Sequence, residues 1–296
     1  MKNQSSACTD YSEKQINALI HLLSDQDPKI ANTIHDRLVA VGQPAIGPLQ
    51  HAQGECDTAI MADRIGAVIA AIKLPEIEHS FQSLVTAKPS ERINLETGAF
   101  LIAQAGYPDL QVRPYQRQID DMVDAIREQW EPGLTPRQAI QTINQLLFHK
   151  LGFKGNTRDY YDPDNSFLHK VLERRMGIPI SLSVLYLLIG QRLKVPVVGI
   201  GLPGHFMVGV QTEPVFIDCF NQGIVLSQQD VARFLKEYGV EFEPRHLNPT
   251  PNEQILARML RNLVAIYQKL GETTFAERFL RLLAFIEPVD ETSEQE

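Results

Sequence analysis

Three cysteines in 296 residues, Cys8, Cys56 and Cys219, are too scattered and odd in number to build a disulfide framework or a zinc cluster. A reducing compartment follows from that scarcity. No run of five like charges occurs, and the formal charge is −8 with an isoelectric point near 5.5. This balance argues against non-specific binding to nucleic acid or to anionic membranes. No apolar run approaches the roughly 18 residues of a membrane-spanning helix, and the opening MKNQSSACTDYSEKQ lacks the apolar stretch of a signal peptide. A cytoplasmic protein is therefore expected. No ligand spacing points to a metal, and nothing identifies a cofactor.

What is there suits a folded chain. Hydrophobic residues make up 44% and charged residues 22%, the composition of a globular protein with little disorder. The length exceeds the roughly 100–200 residues of one domain, so two or three units are expected. The polar tail DETSEQE is expected to fray.

Apolar residues recur at helical spacing through Ile16, Leu19, Ile20 and Leu23, then Ile30, Ile34, Leu38 and Val41. Ser24 to Pro28 supplies a cap and a turn, and Gly42-Gln43-Pro44 stops the second helix. The phrase LLSDQDPKIANTIHDRLVAVGQPAIGPL resembles a HEAT-type unit, with a degenerate second unit over Ala59 to Ile72. Further helices are expected at Leu95–Ala105, Tyr115–Trp130 and, after Pro136, through RQAIQTINQLLFHK to a stop at Gly152. The last segment, Glu253 to Ile286, reads as a helical hairpin. It resembles a tetratricopeptide unit, which cannot bury its own face and must dock on what precedes it.

The middle reads differently. Asp162 to Asn165 is turn-rich, Ser166 to Arg175 is helical, and Gly177-Ile178-Pro179 breaks that helix. Leu182 to Leu193 is apolar almost all round, which predicts a helix at the centre of the domain with Ser181 as its cap. Val195–Gly201, His205–Gln211 and Pro214–Phe220 read as three antiparallel strands. A tight turn near Thr212 to Pro214 pairs residues whose numbers sum to about 425. If that sum is odd, His205 and Asp218 share a face as direct or diagonal neighbours, close enough for the carboxylate to orient the imidazole. An even sum separates them.

The segments YYDPDNSFLHKVLERR, GIPISLS, LPGHF, FIDCFN and ILARML together resemble the SirB-type family of transglutaminase-like proteins, over about Leu95 to Pro288. The resemblance implies a predominantly helical α+β fold with a papain- or transglutaminase-like core, a small antiparallel sheet, and flanking HEAT-like and tetratricopeptide-like helices. The implied domains are residues 1–90, 91–245 and 246–296. In such a core a cysteine at a helix N-terminus is the nucleophile and a histidine and an acid complete the relay. Here the histidine falls on His205 and the acid on Asp218. The cysteine position reads Pro179-Ile180-Ser181-Leu182-Ser183, with no thiol.

Two readings follow. In one, the relay is vestigial and the protein acts through a protein partner, of a kind the sequence does not name. In the other, Ser181 or Ser183 replaces the thiol, giving a hydrolase or acyltransferase acting on peptide or amide bonds; a serine then needs both the relay and an oxyanion hole. Cys219 follows Asp218 in the strand and so points to the opposite face. The cluster Asp159, Asp162, Asp164 and Asn165 lacks the register of a calcium loop and reads as a turn with helix capping. Glu173-Arg174-Arg175 reads as a solvated helix end or as a source of one salt bridge.

Overall fold

The computed structural model describes residues 11–86, 93–130 and 133–288. Cys8, the amino-terminal segment, the tail DETSEQE and the expected boundary between residues 90 and 91 lie outside them. The chain divides into two compact units, Met1–His79 with Tyr107–Asp109, and Ser80–Gly106 with Leu110–Glu296.

The first unit is helical: α1 (Glu13–Leu22), α2 (Pro28–Val41), α3 (Ile46–Glu55) and most of α4 (Ala59–Val85). Helix α2 starts as its sequence dictates. Asp27 accepts a hydrogen bond from the Lys29 N–H, and Pro28 occupies the first turn, where its missing N–H costs nothing. Gly42 ends the helix at φ 71°, a conformation that side chains resist. Ile16, Leu19, Ile20, Leu23, Ile34 and Leu38 close one core with Leu49, Ile65 and Ile69. Ile30, which the spacing places on the same stripe, is instead 42% exposed, because the buried stripe of α2 is narrower than its apolar sequence.

The second unit is an α+β body whose sheet is small. Its helices are α5 (Leu95–Gly106), α6 (Val112–Arg127), α7 (Pro136–Asn144), α8 (Leu168–Arg174), α9 (Pro179–Leu193), α10 (Gln228–Glu237), α11 (Asn252–Leu270) and α12 (Thr273–Ile286). The single helix expected after Pro136 changes to π geometry over Gln145–Lys150. Two-residue strands β1 (Lys154–Gly155) and β2 (Met176–Gly177) pair in parallel. Strands β3 (Val197–Leu202), β4 (His205–Val210), β5 (Glu213–Asp218) and β6 (Ile224–Ser227) form an antiparallel sheet in sequence order. Three of the four match the expected runs. The fourth is only four residues long and mostly exposed, so its alternation is too brief to stand out.

Helix α9 is the buried centre, with every residue from Pro179 to Gly190 inside. Gly190 lets the helix approach the sheet, since a Cβ there would run into Val197. The opposite face of the sheet is covered by α10, where Ile200, Leu202, Met207 and Phe216 pack on Val231 and Leu235. The carboxy-terminal hairpin α11–α12 docks on α5: a Cβ at Gly98 would collide with Leu256, and Arg278 Nη1 donates to the Ala105 carbonyl at 2.7 Å.

Candidate functional site

The β4–β5 register pairs Val208 with Ile217 and Gly209 with Phe216, sums of 425, while a β-bulge at Gly209/Val210 moves the pair next to the turn, Val210 with Glu213, to 423. His205 and Asp218 are then diagonal neighbours on one face. Their side chains meet, with Nε2 of His205 3.0 Å from Oδ2 of Asp218, both buried. The carboxylate oxygen lies off the direction of the ring N–H, since Nε2 has no aligned acceptor.

Asp218 is held by more than the imidazole. Its Oδ1 accepts from the backbone N–H groups of Phe220 and Asn221 at 3.1 and 3.2 Å, and its Oδ2 accepts from Asn221 Nδ2 at 2.8 Å. Burial pushes its carboxyl upward, but His205 and the Asn221 donors outweigh burial and hold it below the usual carboxylate range. The acid is therefore a fixed negative charge at neutral pH.

Strand alternation decides what the pair faces. Leu202 pairs with His205 across the β3–β4 turn and belongs to the cluster under α10. His205 lies on that face too, with its ring 5.2 Å from that of Phe234 in α10. Val197 and Cys219, by contrast, belong to the face under α9: Val197 meets Gly190, and the Cys219 thiol meets the Ser183 hydroxyl. The pair and the body of α9 are on opposite sides of the sheet.

Both serines are sealed in and bonded elsewhere. The helix begins at Pro179 with Ile178 as its N-cap residue, so Ser181 stands one turn inside rather than at the cap the sequence suggests. Its hydroxyl donates to the Asn165 carbonyl at 2.6 Å and accepts from the Ile178 N–H at 3.1 Å. That return bond satisfies a helix-start donor from the third position, as the second half of a capping box does. Ser183 makes a long contact to the Phe206 carbonyl at 3.5 Å. The His205 ring is a hydrogen-bond partner of neither. Cys219 is fully buried, and burial pushes its thiol far above the ordinary range, which makes it inert.

The turn before α8 is structural. Asn165 Nδ2 donates to the Asp159 carbonyl at 2.6 Å, and Asn156 Nδ2 donates to Asn165 Oδ1 at 3.1 Å. Arg174 bridges Asp162 at 2.6 Å and Asp164 at 3.3 Å. The salt-bridge reading of that helix end therefore applies, and the carboxylates are neutralised.

An aromatic chain that the sequence did not single out surrounds the pair. Ring contacts run from Tyr161 to Tyr160, Phe220, His205, Phe234 and Tyr238, at centroid distances of 4.8–6.3 Å. Its ends are open, Tyr161 being 54% and Tyr238 61% exposed. Beside it a cavity of about 320 Å³ is lined by Asp218, Asn221, Ile224, Leu226, Phe234 and Glu237, among others. The spacing of Phe234 and Tyr238 on an amphipathic helix was the available signal, but such spacing reads equally as core.

Residues 113–261, which include both members of the pair and both serines, match the family described as the transglutaminase-like superfamily. The chain belongs to that superfamily. A UPF0162 protein of Xylella fastidiosa (strain 9a5c) is 35% identical over 216 residues, covering 69% of this chain and 76% of the relative. A UPF0162 protein of Vibrio cholerae is 31% identical over 157 residues, covering 51% and 58%. F-box only protein 21 of Mus musculus is 29% identical over 216 residues, covering 62% of this chain and 34% of the relative. No solved structure matches. Among the described residues, no helix is long and apolar enough to cross a membrane.

Proposed function

We propose that this protein is a degenerate, non-catalytic member of the transglutaminase-like superfamily that acts in the cytoplasm by binding a protein partner. One observation carries the reading: among the described residues, both serines of α9 are fully buried and bonded elsewhere, and Ser183 lies on the face of the sheet opposite the His205–Asp218 pair. The exposed ends of the aromatic chain support an interaction role, since tyrosine and phenylalanine are enriched at protein interfaces. We read α1–α4 as a HEAT-like segment and α11–α12 as a tetratricopeptide-like hairpin, unit types that present concave binding surfaces. The segments 1–90, 91–245 and 246–296 are the corresponding functional parts.

The competing reading, a Ser-His-Asp hydrolase or acyltransferase, draws on the pair itself, which is assembled at 3.0 Å. It requires Ser181 or Ser183 to leave its present bonds and reach the His205 ring. A photo-crosslinker placed at Tyr161 or Tyr238 separates the two. The interaction reading expects a discrete crosslinked partner that persists in Ser181→Ala and Ser183→Ala. Turnover of a peptide or amide substrate that those substitutions abolish contradicts it.

A further inference from the structure

Arg258, on α11, reaches into the β3–β4 turn from outside the sheet. Its Nη1 donates to the Leu202 carbonyl at 2.9 Å and its Nη2 to the His205 carbonyl at 2.8 Å. Leu202 and His205 are partners across that turn, so one planar guanidinium spans both ends of it. Arg258 also stands 5.5 Å from the centre of the Phe206 ring, and it has no carboxylate partner among the described residues. Burial, with a smaller contribution from the Arg261 charge, lowers its pKa. A nearby residue reinforces the same edge: the Thr250 N–H donates to the Gly199 carbonyl at 2.8 Å, and its hydroxyl accepts from the Gly201 N–H at 2.9 Å.

We propose that Arg258 is a positioning residue that fixes the His205 backbone and so holds the imidazole against Asp218, making the carboxy-terminal hairpin a working part of the site. The two acceptors are the carbonyls of paired residues, each bonded by a different nitrogen of one planar group, which suits the fixed fork of arginine and not the point charge of lysine. Without the fork, the Pro203–Gly204 turn and the ring it carries are free to shift relative to Asp218. The inference rests on the proposed function, with the pair and the aromatic chain around it as the interaction site. Its test reads the ring directly and needs neither a partner nor a substrate, so either idea can fail while the other stands.

The experiment uses the full chain with ¹⁵N-labelled histidine and follows the His205 ring nitrogen signals at fixed neutral pH. The signals are assigned with His205→Ala, and Asp218→Asn serves as the reference for a released ring. Arg258→Met is expected to move the Nδ1 and Nε2 shifts toward those of Asp218→Asn. Arg258→Lys, which can keep one of the two bonds, is expected to lie between Arg258→Met and the wild type. Thr250→Val loosens the same edge without touching the His205 carbonyl and is expected to leave the ring signals in place. If Arg258→Met does not fold, Arg258→Lys alone decides against Thr250→Val. Wild-type ring signals in a folded Arg258 variant overturn the assignment, and so does an equal displacement in Thr250→Val, which would mark general loosening.

Discussion

Replacing Ser181 by alanine distinguishes a structural hydroxyl from a nucleophilic one through stability alone. The hydroxyl is fully buried, donates to the Asn165 carbonyl and accepts from the Ile178 N–H, so no water replaces it when it is removed. The Ile178 N–H retains a longer bond to the same Asn165 carbonyl at 3.3 Å, so neither backbone group is left wholly without a partner. Two hydrogen bonds at a net ~1 kcal/mol each, partly compensated in this way, give an expected loss of about 1–2 kcal/mol. Ser183→Ala removes only the 3.5 Å contact and a weak one to Cys219, and is expected to cost less than about 1 kcal/mol. Urea denaturation followed by circular dichroism reads both as changes in midpoint at constant slope. A Ser181→Ala protein as stable as the wild type, or more stable, refutes the structural assignment, because residues kept for catalysis are commonly held at a cost to stability.

Asp218→Asn removes a buried charge and sets one amide against the Asn221 amide. It is expected to cost about 2–3 kcal/mol in the same assay. Because the folded Asp218 carboxyl titrates below its ordinary value, its contribution is full above that value and is lost as pH falls further, so wild type and variant are expected to converge only below about pH 4. His169 acts in a higher window. Burial lowers its pKa from 6.5 to about 4, so the unfolded chain takes up the proton first. Stability is expected to fall between pH 6.5 and 4, by on the order of 3 kcal/mol at most. His169→Phe, compared with the wild type at pH 7 and pH 4.5 by urea denaturation, is expected to lose less over that interval. Gly98→Ala places a Cβ against Leu256 and is expected to destabilise the α5–α11 contact by about 1–3 kcal/mol, read as a lowered melting temperature.

Much of the second unit was legible because its signals are local. The apolar helix now seen over Pro179–Leu193 declares itself by having no polar face, whereas the expected turn near Thr212 to Pro214 left the parity open: the turn is Gln211–Thr212, and a bulge at Gly209/Val210 sets the register of 425 that brings His205 and Asp218 together. Parity shows which residues share a face of a sheet, but not which helix covers that face. The sequence therefore allowed Ser183 and His205 to be imagined together, whereas α9 and α10 take opposite sides. Ser181 illustrates a boundary effect: Pro179 is compatible with the first turn, so the helix starts earlier than Leu182 and turns an expected cap into an internal return bond. Arg258 was hidden for a different reason. It lies more than fifty residues from the turn it holds, and only the docking of α11 brings it there.

Under the proposed function, no nucleophile serves the His205–Asp218 pair. Labelling the wild-type chain with a serine-reactive fluorophosphonate, beside folded Ser181→Ala, Ser183→Ala and His205→Ala variants, tests it most directly. The wild type is then expected to show no labelling above that of the variants. Labelling that disappears in one serine variant and also in His205→Ala would contradict it and establish a working Ser-His-Asp site.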